Sequence, residues 1–294
     1  MERAVALMAQ GSAAVRGGDM LPLQGKVALV TGASAPRGIG RAIALRLAAD
    51  GAAVVVTDVA GSLVIDGADV LRLTLLDGLV SEIAAMGGVA FAQKLDVTSA
   101  ADIAVGVETT LAQFQRLDIL VNNAGSLSGV GEFLAATPAQ WQTSFEVNLL
   151  GPMLLAQAVI PHMRKAGGGR IINIGSTGSL GAEPGFAAYT TMKHGLVGLS
   201  KTIAAEFGPD GILCNTVCPG YIATDMHLAT NERLAKERGF SVAEIKQDRY
   251  AQVALRNAGL PEDVANAVAF LAGPQGAYVT GINLPVSGGV PFGI

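Results

Sequence analysis

From Gly25 onward the chain repeats one pattern: a short, almost wholly apolar run, a glycine-bearing turn, then a longer stretch whose apolar residues recur every three or four positions. The short runs at 26–31, 53–57, 89–95, 118–121, 170–174, 212–217 and 282–286 predict strands. The longer stretches at 39–50, 75–86, 100–115, 138–165, 187–207 and 261–272 predict helices. Thr137, Pro138 and Gln140 mark one helix start, with a capping-box pair and proline at the first helical position. Strands alternating with helices imply a parallel sheet covered on both faces, and the continuous run Val54, Val55, Val56 suits a strand buried on both sides. No linker divides 25–294, so a single α/β domain with a doubly wound sheet of about seven parallel strands is expected, preceded by a flexible extension over 1–24.

One stretch concentrates chemistry. Tyr189 and Lys193 lie four apart on the helix predicted over 187–207 and so project from one face, while Ser176 follows the strand at 170–174 and reaches the same place from the sheet. Such a trio can move a proton to or from an oxygen. Free tyrosine titrates near 10, and a neighbouring ammonium favours the phenolate; a shift of about two units needs roughly 2.7 kcal/mol. The serine hydroxyl would hold the substrate oxygen while the tyrosine exchanges its proton. Taken alone, the Tyr-x-x-x-Lys spacing fits equally a buried tyrosine with a solvated lysine one turn later.

The first strand runs into a glycine-rich turn, Gly32 through Gly40, and then into the first predicted helix. That is where a backbone can approach a pyrophosphate and helix N–H groups point at it. Gly32, Ser34, Arg37, Gly38, Ile39 and Gly40 are the candidate contacts. Asp58 ends the second strand 18 residues after Gly40, placed to accept hydrogen bonds from adenosine ribose hydroxyls and to repel a 2'-phosphate. Arg37 argues the other way, since a cation by the turn would attract that phosphate. Asp58 meets the 2' position directly and no arginine or lysine directly follows it, so NAD is expected ahead of NADP.

Composition narrows the classes. A net charge of -4 without any basic run excludes a nucleic-acid surface, and no apolar run reaches a membrane span. Cys214 and Cys218 are too few for a disulfide framework, which fits a reducing cytoplasm, and His162, His194 and His227 form no metal-ligand pair. Residues 1–24 faintly resemble a secretory signal broken by Gln10 and Gly11, and Met20 is an alternative start.

Over 23–289 these residues together resemble the short-chain dehydrogenase/reductase family in its single-domain branch. The resemblance rests on the glycine turn, Asp96 and Val97 after the third strand, Asn122 to Gly125 after the fourth, Asn148 in a long helix, Ser176, Tyr189, Lys193, and Pro219 with Gly220. It implies a Rossmann-type three-layer α/β/α fold and reversible hydride transfer between a nicotinamide and a secondary alcohol or ketone. It also implies roles: Asp96 and Val97 on the adenine, Asn123, Ala124 and Gly125 along the cofactor, and Lys193 on the nicotinamide ribose as well as beside Tyr189. Asn148 would serve a proton relay, and Pro219, Gly220, Ile222 and Thr224 would wrap the nicotinamide. The family's pattern places a mobile lid at about 223–257 and commonly a homotetramer packed through the two longest helices. An NADP(H)-dependent 3-oxoacyl-thioester-type reductase and a non-catalytic NAD-binding redox sensor are the alternatives to an NAD(H)-dependent alcohol dehydrogenase or ketoreductase. Three departures stand out: five residues rather than three between Gly32 and Gly38, an insertion over 60–74 near the adenosine end, and Ser287 where the family has aspartate before the last glycine pair.

Overall fold

The structure is a computed structural model that describes residues 20–65 and 67–291. Its strands are β1 (Val27–Thr31), β2 (Ala53–Asp58), β3 (Ser62–Ile65), β4 (Ala68–Leu71), β5 (Val89–Lys94), β6 (Ile119–Asn122), β7 (Gly169–Ile174), β8 (Ile212–Pro219) and β9 (Asn283–Val286). Its longer helices are α1 (Ile39–Ala49), α2 (Arg72–Ala85), α3 (Ala100–Phe114), α4 (Pro138–Lys165), α5 (Ala187–Phe207), α6 (Asp225–Arg238), α7 (Val242–Ala251) and α8 (Pro261–Ala272). Seven strands form one parallel sheet in the order β5-β2-β1-β6-β7-β8-β9. The order reverses between β1 and β6, and the crevice beyond the carboxyl ends there is where such sheets bind ligands.

Both faces of the sheet are covered, and the strand pleat decides which residue goes where. Ala28 and Val30 face a core with Ile43 and Leu47 of α1, Leu76 and Leu79 of α2, and Val264 and Val268 of α8. Val27 and Leu29 face the opposite core, made with Ile103 of α3, Leu155 and Val159 of α4, and Ile203 of α5. Helix α4 is long and apolar enough to cross a membrane, with a mean hydropathy of 1.2, yet its apolar side lies in this core.

Three features differ from the expectations. The part of the N-terminal extension that is described does not hang free: Leu23 is buried and its N–H donates to Asp50 O; residues 1–19 lie outside the described residues. The insertion folds as an antiparallel hairpin, β3 on β4, and brings the start of α2 forward to Arg72. Asp66-Gly67 between two short apolar strands was its readable signal, and Gly67 adopts the positive φ that such a turn requires. Helix α4 widens to a π turn over Glu146–Leu150, a form often found at functional sites.

Candidate active site

The turn after β1 is held from β6. Thr31 Oγ1 accepts from the N–H groups of Asn123 and Ala124, and Asn123 Nδ2 donates to Thr31 O and Gly32 O. Two of the glycines are required by close approach: a Cβ on Gly40 would lie 2.6 Å from Gly32 O, and one on Gly32 would lie 2.9 Å from Ala124 Cα. Helix α1 begins at this turn with no side-chain cap and no acidic residue in its first turn, so its N–H groups remain for an anion.

A cleft of about 1190 Å³ runs along the carboxyl edge of the sheet, room for a dinucleotide and a further small molecule. Its lining brings together Gly32, Gly38, Ile39, Asp58, Asp96, Val97, Asn123, Ala124, Gly125, Ser176, Tyr189, Lys193, Pro219, Gly220, Ile222 and Thr224. Four expected residues are absent from it. Gly40 is taken up by backbone packing and Ser34 is buried behind the turn. Arg37 points away, its Nε donating to Asp225 at the start of α6, 2.6 Å apart. Asn148 is fully buried: Oδ1 accepts from Ser126 N–H, and Nδ2 donates to Ser126 O and Ser144 Oγ. A Cβ on Gly125 would sit 3.4 Å from Asn148 Oδ1 and 3.9 Å from Lys193 Nζ, so the two side chains flank one point.

At the adenosine end, both oxygens of Asp58 already have donors. Oδ2 accepts from Ser34 N–H at 3.1 Å and Ser34 Oγ at 2.7 Å, while Oδ1 accepts from Val59 N–H at 2.9 Å and Arg72 Nη1 at 3.2 Å. A carboxylate has about four lone-pair sites, and four donors fill them. The expectation that no cation stands by Asp58 is therefore corrected: the hairpin brings Arg72, 14 residues on in sequence, back onto it. Leu63 and Val64 of the hairpin line the cleft beside Arg72. At the adenine position Asp96 Oδ1 accepts from Thr98 N–H and Oγ1.

In the middle of the cleft the catalytic candidates converge. Ser176 lies just beyond β7, its Oγ accepting from Gly178 N–H and its N–H donating to Ser179 Oγ. Lys193 is buried, its Nζ donating to Ile174 O at 2.7 Å and lying 5.6 Å from the centre of the Tyr189 ring. Burial pushes the Lys193 ammonium down to about 8. Burial also pushes the half-buried Tyr189 phenol above its ordinary value, against a lowering hydrogen bond from Ser176. A phenol raised in this way is neutral at pH 7.

The far end of the cleft, the substrate end, is lined by residues of α6 and α7. His227 is buried, its ring packed against those of Tyr221 and Tyr250, which also meet each other, with Nε2 3.0 Å from Tyr250 Oη. Burial, helped by Arg249 and Lys246, pushes its imidazole down to about 4. Arg249 of α7, 4.2 Å from the centre of the Tyr221 ring, also lines the cleft.

Known proteins agree with this architecture. A family model described as enoyl-(acyl carrier protein) reductase matches residues 32–291. A 3-oxoacyl-[acyl-carrier-protein] reductase of a Synechocystis species is 40% identical over 92% of this chain and 99% of its own length. The short-chain reductase NovJ of Streptomyces niveus is 38% identical over 91% of this chain and 95% of its own. Among solved structures, a variant of actinorhodin polyketide ketoreductase with NADPH superposes with a TM-score of 0.82 at 33% identity, covering 90% of this chain and 97% of that one. With that likeness spanning nearly the whole described chain, the Rossmann-type sheet and the serine, tyrosine and lysine on one cleft belong to a member of the short-chain dehydrogenase/reductase family, an oxidoreductase acting on CH–OH or carbonyl groups.

Proposed function

We propose that this chain reduces a ketone to a secondary alcohol with NADPH. The carrying observation is the convergence of Ser176, Tyr189 and Lys193 on one cleft, with Lys193 Nζ 5.6 Å from the centre of the Tyr189 ring and the phenol protonated, as a general acid for a carbonyl oxygen must be. Ser176 steadies that oxygen, and Lys193 anchors the nicotinamide ribose from beside Tyr189. Bound nicotinamide supplies the hydride that the carbonyl carbon receives. Asn148, with both amide ends on Ser126, shapes the loop beside Lys193 and borders the proton route from it.

The expected preference for NAD gives way here to NADP(H). With four donors on Asp58, a ribose hydroxyl has to displace one of them, whereas a 2'-phosphate meets the Arg72 guanidinium. The cofactor-binding roles of Gly32, Gly38, Ile39, Asp96, Val97, Asn123, Ala124, Gly125, Pro219, Gly220, Ile222 and Thr224 are kept, each lining the cleft. Helices α6 and α7 act as the lid. The one-turn spacing of Tyr189 and Lys193 argues for carbonyl rather than carbon-carbon double-bond reduction. The two buried thiols, Cys214 and Cys218, suit a reducing cytoplasm. Copies of the chain assemble through α4 and α5, which light scattering tests by mass.

Steady-state reduction of a panel of ketones, thioester-linked and free, with NADPH and NADH tests the reading. Ketone reduction with a higher kcat/KM for NADPH is expected. Turnover of enoyl substrates alone, or faster reduction of every ketone with NADH, overturns it.

A further inference from the structure

The lid contains a cation with an unfinished set of partners. Arg249 is only 6% exposed, yet it lines the cleft. Its Nη1 donates to Asn231 Oδ1, its Nε has no hydrogen-bond partner, and its Nη2 stands 3.9 Å from Glu183 Oε1, beyond hydrogen-bond range. Asn231, fully buried, leaves its Nδ2 donors unpartnered beside it. Leaving buried donors unpaired is costly, and a guanidinium costs more than an amide. The Nε–Nη2 edge is the side of a guanidinium that grips a carboxylate with two parallel bonds. Glu183, from the loop after Ser176, already brings a carboxylate toward that edge without reaching it.

Resting on the ketone-reduction reading, we propose that Arg249 binds a carboxylate carried by the substrate, so that the enzyme acts on oxo acids and their hydroxy-acid products. The charge balance selects a carboxylate over a phosphate. Glu183 already neutralises part of this buried guanidinium, and of the other charged lid residues lining the cleft Arg238 and Asp248 cancel and Asp225 is paired with Arg37, which leaves too little positive charge for a dianion. Tyr221 supports the guanidinium from its ring face and His227, uncharged at neutral pH, adds no second cation. An acyl thioester presents no carboxylate to this end of the cleft.

The experiment pairs acetoacetate, 4-oxopentanoate and 5-oxohexanoate with their methyl esters. Each is measured for turnover with NADPH and for binding to the NADP⁺ complex by calorimetry. At least one acid is expected to exceed its ester in kcat/KM by on the order of 10²-fold. Arg249→Gln collapses that ratio toward one, with the loss in KM, and Arg249→Lys restores part of it. If Arg249→Gln fails to fold, Glu183→Gln, at a partly exposed position, decides: removing the competing acid tightens acid binding several-fold and leaves ester binding as it was. An ester matching its acid in the wild-type enzyme, or a ratio unmoved in these variants, overturns the inference. Acids that bind through Arg249 without being reduced leave the carboxylate site standing and sink the ketone-reduction reading. Neutral ketones that are reduced while acids neither bind nor react do the reverse.

Discussion

The two ends of the cleft use one device at different depths. At the adenosine end, Arg72 faces an aspartate saturated with donors, and its side chain is 25% exposed. At the substrate end, Arg249 faces a glutamate held off at 3.9 Å, and its side chain is 7% exposed. A cation partly in water, already in contact with its acid, gains from a newcomer only the difference between two well-solvated pairings. A cation removed from water with donors unpaired gains most of a strong interaction. On the proposed function, the adenosine end ranks two related cofactors, and the substrate end accepts or refuses.

The largest expected effect lies where the two ends meet. Tyr189→Phe removes the proton donor and touches neither arginine, so kcat for ketone reduction falls by about 10²- to 10⁴-fold. NADPH binding, read by quenching of its fluorescence, is retained because the ring still packs beside Lys193. Retention of near-normal turnover removes Tyr189 from the reaction and, with it, the point from which both ends are defined.

Next in size is the adenosine end itself. Arg72→Ala lowers kcat/KM for NADPH by about 10- to 100-fold, the value of a charge-assisted contact to phosphate. The same change frees Asp58 Oδ1 for a ribose hydroxyl, so NADH improves or holds. Equal losses with both cofactors would mean that Arg72 only props the hairpin, and the comparison between the two ends would fail.

These two predictions mark where the sequence was legible. Tyr189, Lys193 and Ser176 were readable because local spacing on one helix and one strand end puts them together. The seven sheet strands and their helices were readable because burial on both faces leaves near-continuous apolar runs. Arg72 and Arg249 were not. Arg72 reaches Asp58 through a hairpin whose Asp-Gly signal sat inside what was read only as an insertion, and only the folded-back strand makes them neighbours. Arg249 is one of many charges on α6 and α7, and no periodicity distinguishes the buried one from those in water. Spacing shows that a lysine is near Tyr189, but burial sets the pH at which that lysine loses its charge.

That last point predicts a pH profile. The folded Lys193 titrates near 8, below the 10.5 of a free lysine, so its charge is complete below about 8 and lost as pH rises through that value. Tyr189 keeps its proton over the same range. Ketone reduction should then hold level up to about pH 8 and decline by roughly tenfold per unit above it, as one essential protonated group is lost. The same shift makes the unfolded chain the better proton binder between about 8 and 10.5, so this group's contribution to stability rises with pH across that window. A decline beginning only near 10.5 would show that the lysine is better solvated than its burial states.

The smallest effect separates the arginine that sequence reading chose from the one it missed. Arg37 stands at the glycine turn, but its guanidinium is more than half exposed and tied to Asp225 at the base of the lid. An exposed pair of this kind is worth about 0–1 kcal/mol. Arg37→Ala should therefore change the NADPH-to-NADH ratio of kcat/KM by less than about 5-fold, with any loss falling equally on both cofactors as the lid's base loosens. A selective loss with NADPH as large as that of Arg72→Ala would place the 2'-phosphate by the turn instead of the hairpin. Asp58 and Arg72 would then be only a structural pair, and the adenosine end would lose its counterpart to Arg249.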